Sequence, residues 1–187
     1  MLVRTVHFPE IDETACLGLL RDLVRIKSYS QTDGEREAVQ FIADQMTALG
    51  LDAGVFPFAN GTRQNAIGRW RGSDPPRSRS LLFNGHLDTN PVTEGWTVDP
   101  WEGKIDDHFI YGIGVSNMKA GCAAYYCAVK TLKDSGWQPK GDVALTFVVG
   151  ELQGGVGTVA AIDQGRMAAD YFINCEVRTS DSWMSSC

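Results

Sequence analysis

The chain has 187 residues, a net charge of -6 at pH 7 and an apolar share of 43%, enough for one sizeable core and short for two. Its acidic balance has nothing to offset a phosphate backbone, so nucleic acid is excluded as an expected partner. No apolar run approaches the ~20 residues of a membrane span, and the start M-L-V-R-T-V-H-F-P-E lacks a signal peptide's apolar centre. The expectation is a cytoplasmic protein without a membrane partner.

From Ile11 to Ile26 the apolar residues Ile11, Cys16, Leu19, Leu20, Leu23 and Val24 recur at helical spacing, and Asp12 can open the helix. A second helix is expected from Gly34 to Leu49, with Val39, Ile42, Met46 and Leu49 on one face and Gly50 as its stop. Asn65 to Trp70 and Ser80 to Asn84 read as strands separated by the polar turn G-S-D-P-P-R-S-R, and are expected to be neighbours. The stretch from Gly85 to Gly114 is loop-rich, carries Trp96 and Trp101, and suggests a hairpin around Asp106-Asp107. Lys119 to Ser135 has a helical apolar face of Tyr126, Val129 and Leu132, ended by Gly136. Asp142 to Val149 then reads as a buried strand, Gly155 to Gly165 as a short helix, and Asp170 to Cys175 as another apolar strand.

Strands alternating with helices imply an α/β layered fold, with a site expected where strands end. No internal repeat or linker divides the chain. Five cysteines without a C-x-x-C pair suit reduced thiols, with Cys122 and Cys127 packing as small apolar residues. The tail V-R-T-S-D-S-W-M-S-S-C, residues 177–187, is serine-rich and non-periodic, and reads as foreign to the domain.

Three segments place polar groups directly after apolar strands: F-N-G-H-L-D-T with His86 and Asp88, V-V-G-E-L with Glu151, and F-I-N-C-E with Glu176. A histidine with a carboxylate two residues on can ligate a metal through one ring nitrogen while a carboxylate orients the ring through the other. Each match alone reads first as a hydrogen-bonded loop histidine, or as a solvated carboxylate or one at a helix start. Together, at the ends of separate strands, they suggest a site. Competing motifs are missing: G-I-G-V-S-N-M-K lacks the third glycine of a dinucleotide turn, and neither a P-loop nor a G-x-S-x-G elbow occurs. Trp96, Trp101 and Tyr111 either line a pocket or cover a core edge.

The ordered segments L-L-F-N-G-H-L-D-T-N-P, G-W-T-V-D-P-W-E-G, Y-G-I-G-V-S-N-M-K-A-G and V-V-G-E-L-Q-G-G-V-G-T resemble the zinc hydrolases that include acetylornithine deacetylase, succinyl-diaminopimelate desuccinylase, aminoacylase and carboxypeptidase G. The resemblance runs roughly from Ile11 to Glu176. It implies a three-layer α/β zinc-exopeptidase-like catalytic domain with a mixed central sheet, partial over residues 1–176 and incomplete at its C-terminus. It also implies hydrolysis of the amide of a small N-acylated amino acid or peptide. By the same resemblance His86 is a metal ligand, Asp88 orients it, Glu176 is the acidic ligand of the same metal, and Glu151 is the general base that moves a proton from the attacking water to the leaving amine. The family is typically homodimeric through a lid and dimerisation domain, which is expected to be absent from this chain. The Asn117-Met118 peptide is expected to be cis.

Three departures accompany the resemblance. Asn117 stands where the family has an aspartate bridging two metals, Leu152 stands where it has a second glutamate, and the remaining histidine falls in a segment beyond this chain. Two dications about 3.5 Å apart repel by roughly 19 kcal/mol at an effective dielectric near 20, so a pair needs bridging carboxylates. One ion is therefore expected rather than two, held by His86 and Glu176 with water and Asn117. Zinc is the expected ion, with cobalt or manganese as substitutes. The alternative is a non-catalytic relative, a pseudo-enzyme or truncated fragment, that keeps the pocket without turnover.

Overall fold

The structure is a computed structural model that describes residues 8–176, so the serine-rich tail, residues 177–187, lies outside the described residues. The first helix, α1 (Glu13–Arg25), starts where Asp12 accepts a hydrogen bond from the Ala15 N–H at 2.9 Å, a side-chain cap of the usual kind. Helix α2 (Asp33–Ala48) follows, and Gly50 takes the left-handed conformation just past its end. Strand β1 (Asp52–Phe58) has no counterpart among the expected elements. It lies at the sheet edge, where Pro57 can do without a ladder donor.

The five-stranded sheet has the order β1, β2 (Arg63–Trp70), β6 (Val143–Val148), β3 (Leu81–His86), β7 (Tyr171–Asn174). It is mixed: β1, β2 and β6 pair antiparallel, while β6, β3 and β7 run parallel. The expected neighbours β2 and β3 are therefore not adjacent, because β6 lies between them. The polar turn after β2 explains this. Its backbone binds the segment leading into β6, through Ser73 N–H to the Pro139 carbonyl and Asp74 N–H to the Lys140 carbonyl, both at 2.9 Å. Asp142 completes the junction by accepting the Gly72 N–H on its carboxylate and the Leu81 N–H on its carbonyl, each at 2.9 Å. The turn thus feeds β6 in between the two strands instead of closing a hairpin.

A small hairpin, β4 (Lys104–Ile105) with β5 (Ile110–Tyr111), sits in the long segment after β3. Helix α3 (Ala120–Asp134) follows a wide turn over Val115–Lys119 and stops at Gly136, and α4 (Val156–Asp163) follows the glycine turn after β6.

Alternation on β2 assigns the helices to faces. Ala66 and Trp70 belong to the main core, and a Cβ at Gly68 would meet Met46 of α2, so even-numbered positions face α2. Asn65, one step out of phase, donates from its side-chain amide to the Gly157 carbonyl of α4 at 2.8 Å. Helices α1, α2 and α3 therefore cover one face, with Leu23, Val39, Ile42, Met46, Cys122 and Phe147 buried among them, and α4 covers the other. The expected three-layer α/β architecture is present. Among the described residues no helix is long and apolar enough to cross a membrane.

Backbone contact between the segments leading into β3 and β6 leaves no room at Gly141, where a Cβ would lie 2.0 Å from the Arg79 carbonyl oxygen; Gly18 in α1 has nothing within 4 Å. Gly141→Ala is expected to lower stability by about 1–3 kcal/mol and Gly18→Ala to raise it by about 0.5–1 kcal/mol, both read from urea melts.

Candidate active site

Strands β6, β3 and β7 run parallel in close register, His86 opposite Val148 and Asn84 opposite Asn174, so they end along one sheet edge. His86 is the last residue of β3, Glu151 lies in the turn after β6, and Glu176 follows β7. The wide turn Val115–Lys119 that leads into α3 adds Asn117, and the Asn117-Met118 peptide is cis.

His86 is buried and faces acceptors on both ring nitrogens. Nδ1 lies 3.0 Å from the Asp88 carbonyl oxygen and 3.4 Å from the Asp88 carboxylate. Nε2 lies 2.6 Å from Asn117 Oδ1, 3.6 Å from Glu176 Oε2 and 3.9 Å from Glu151 Oε2. The Glu151 and Glu176 side chains are 46% and 40% exposed, so they stand at the mouth above a buried imidazole. All five residues singled out from the sequence thus lie in one place.

Asp88 is fully buried. Its carboxylate accepts the Ser30 hydroxyl at 2.6 Å and the Glu151 N–H at 3.4 Å in addition to facing His86. Burial alone would push this carboxyl up, but the His86 and Ser30 hydrogen bonds outweigh it and hold the group at about 2. Burial pushes His86 down, and the Asp88 hydrogen bond and charge outweigh that and leave it raised.

Residues that the sequence patterns do not single out as site candidates position this group. Lys119 is fully buried, and its ammonium donates to the Leu23 and Ile26 carbonyls at 2.8 and 3.0 Å, the open end of α1. It faces the Trp101 ring at 5.9 Å, and burial drives it down to about 7. Trp101 also packs edge-on against Tyr29 at 5.0 Å, so it covers a core edge. On the opposite flank Arg63 forms a two-pronged pair with Glu35 and donates to Gln153 at 3.3 Å. A Cβ at Gly150 would come within 2.8 Å of its guanidinium, so Arg63 packs directly under the turn that bears Glu151. Glu35 and Arg63 lie 28 residues apart in sequence, and no motif links them.

The donor set meets the needs of a cation in part. Nε2 of His86 faces only oxygens, so a cation in place of its proton suits the surroundings, with Glu176 as the charged partner and the Asn117 amide oxygen alongside. Leu152 supplies no donor where a second ion would need one. Among the described residues no group of three or more His, Cys, Asp and Glu is arranged to hold a metal. The residues present offer a cation one imidazole nitrogen, the Glu176 carboxylate and the Asn117 amide oxygen.

Residues 82–185, which include every residue of this cluster, match the model of peptidase family M20/M25/M40. The chain belongs to this family. It is 34% identical to a succinyl-diaminopimelate desuccinylase of Gluconacetobacter diazotrophicus over 155 residues, which is 80% of this chain and 38% of that protein. It is likewise 34% identical to aminoacylase-1 of Sus scrofa over 145 residues, 76% of this chain and 35% of that one. A crystal structure of an M20 family metallo-carboxypeptidase from Sulfolobus solfataricus matches with a TM-score of 0.76 at 23% identity, covering 87% of this chain and 37% of that chain. Human carnosine dipeptidase 1 matches with the same TM-score of 0.76 at 20% identity, covering 89% and 39%. The two solved structures establish the fold. The chain spans about two fifths of the length of these M20 relatives.

The Arg63 and Glu35 side chains are 13% and 5% exposed, so each depends on the other for its charge. Arg63→Met alone is expected to cost about 3–5 kcal/mol, and the double replacement Arg63→Met with Glu35→Met much less, because only the single change strands a buried carboxylate. Urea unfolding of the three proteins measures the difference.

Proposed function

We propose that this chain carries the catalytic half of a metal-dependent amide hydrolase acting on small N-acylated amino acids or peptides. The observation that carries the reading is the convergence of His86, Glu151 and Glu176 at the ends of three parallel strands, within 3.9 Å of one imidazole nitrogen. Membership of the family supports it, since the named relatives are a desuccinylase and an aminoacylase.

In this reading His86 and Glu176 hold one zinc ion, with Asn117 beside them. When bound, the ion supplies Lewis-acid polarisation of the substrate carbonyl and brings the pKa of water towards ~7. Asp88 fixes the His86 ring so that Nε2 points at the mouth. Glu151, half exposed on that side, takes a proton from the attacking water and passes it to the leaving amine nitrogen. Its position at the solvent edge lets it serve both partners without moving the buried imidazole.

A second reading is a relative that binds without turnover. It is favoured by Leu152 and Asn117, which give an apolar group beside the candidate base and a neutral one beside the candidate ligand.

Glu151→Gln is expected to lower hydrolysis of N-acetyl amino acids by about 10²–10⁴-fold with metal content unchanged. Undiminished turnover would sink the assigned role, and a wild-type chain that binds these amides without cleaving them would favour the second reading. Elemental analysis of protein purified without chelators is expected to give about one zinc per chain, falling to none with His86→Ala and rising towards two when Asn117→Asp and Leu152→Glu are combined.

A further inference from the structure

A cavity of about 480 Å³ opens beside His86, a size within the range of about 300–1,000 Å³ common for small-molecule sites. Its apolar walls are Pro91, Trp96, Val98, Tyr111, Ile113 and Leu152, with neutral polar residues such as Thr93 and Thr97 between them, and its floor at one end is His86, Asp88 and Asn117. Trp96 is 40% exposed, so its ring is presented to an incoming ligand instead of being spent in the core.

The charges of the cavity are one-sided. Its lining groups able to carry charge near neutral pH are His86, Asp88 and Glu94, and among the described residues no lysine or arginine lines it. The two lysines in the surrounding segments are placed elsewhere: Lys119 is turned onto the carbonyls at the end of α1, and Lys104 lies over the Tyr111 ring at 5.8 Å without lining the space. A cation on His86 Nε2 would serve the carbonyl at the floor, but an anionic acyl terminus reaching the Trp96 end would lose its water near Glu94 with no lysine or arginine lining the cavity to receive it.

Glu151 and Glu176 do not line this cavity, although both face the same imidazole nitrogen. The leaving amine must approach Glu151 to receive its proton, so the other side of the amide, the acyl side, is the part that points into the cavity. We propose that this cavity is an acyl pocket, selective for neutral apolar acyl groups and closed to anionic ones, with Trp96 and Leu152 as its specificity-determining residues. The inference rests on the amide-hydrolase reading given above. It gives Leu152 a positive role, because the leucine in place of a second carboxylate turns space beside the candidate metal into apolar wall.

The test is calorimetric titration of the full chain, carrying Glu151→Gln so that turnover is slow on the time of the titration, with N-acetylglycine, N-benzoylglycine and N-succinylglycine. N-benzoylglycine is expected to bind at least about tenfold tighter than N-acetylglycine, and N-succinylglycine no tighter than N-acetylglycine. Trp96→Ala should remove most of the benzoyl advantage, lowering benzoyl affinity far more than acetyl affinity, with circular dichroism confirming the fold. Leu152→Lys should raise succinyl affinity by about tenfold while lowering benzoyl affinity. Equal affinities, a succinyl preference, or no binding of any of the three would overturn the pocket. The two readings fail separately. Ranked binding by a chain that, without the Glu151 substitution, hydrolyses none of the three overturns the hydrolase and leaves the pocket. Hydrolysis of all three at equal kcat/KM overturns the pocket and leaves the hydrolase.

Discussion

The buried carboxylate of Asp88 is the interaction on which the site depends. It is fully buried yet strongly held in its charged form, because it accepts from the Ser30 hydroxyl and the Glu151 N–H and faces the His86 ring. Those partners come from three separate parts of the chain: the segment after α1, the end of β3, and the turn after β6. A buried anion is tolerable only where such partners are supplied, so the same requirement that keeps Asp88 ionised also locks the three segments together. The backbone repeats the arrangement. Thr89 N–H donates to the Ser28 carbonyl at 2.9 Å, Ser30 N–H donates to the Thr89 carbonyl at 3.2 Å, and the Ser28 hydroxyl donates to the Leu87 carbonyl at 2.6 Å.

Around this centre, two cations act as struts, one fully buried and one largely so. Lys119 ties the turn carrying Asn117 to the end of α1, where unsatisfied helix carbonyls offer it acceptors. Arg63, paired with Glu35, supports the Gly150 turn from the opposite side. Gly150 adopts φ 84°, a left-handed conformation that a side chain would resist, and here a side chain would also strike the guanidinium. The turn is thus held by its own conformation and by a buried charge beneath it, which leaves the Glu151 side chain at the mouth without burying it.

The loop-rich segment after β3 divides its aromatic residues between two jobs. Trp101 closes the core against Tyr29 and Lys119, whereas Trp96 and Tyr111 line the cavity beside the histidine. Leu152 joins the second group. The cavity thus joins one imidazole and a few carboxylates to an apolar wall, and among the described residues no lysine or arginine lines it.

The helices are legible in the sequence because their apolar residues repeat at helical spacing and their ends carry Asp12, Gly50 and Gly136. The candidate site residues are legible as polar groups that follow apolar runs, His86, Glu151 and Glu176 among them. Strand β1 is not, since Gly54 and Pro57 break its pattern and only its edge position makes the proline acceptable. Nor is the order of strands, because it rests on backbone bonds between the turn after β2 and the residues before β6, which no local pattern announces. Spacing and residue character alone dictate the types of most elements and the residues available for chemistry. The entry of β6 between β2 and β3, which brings Glu151 beside His86, and the meeting of Glu35 and Arg63 beneath its turn are settled only in the folded chain. Those are contacts between distant segments, and the cost of leaving a buried charge or backbone group unpaired selects them.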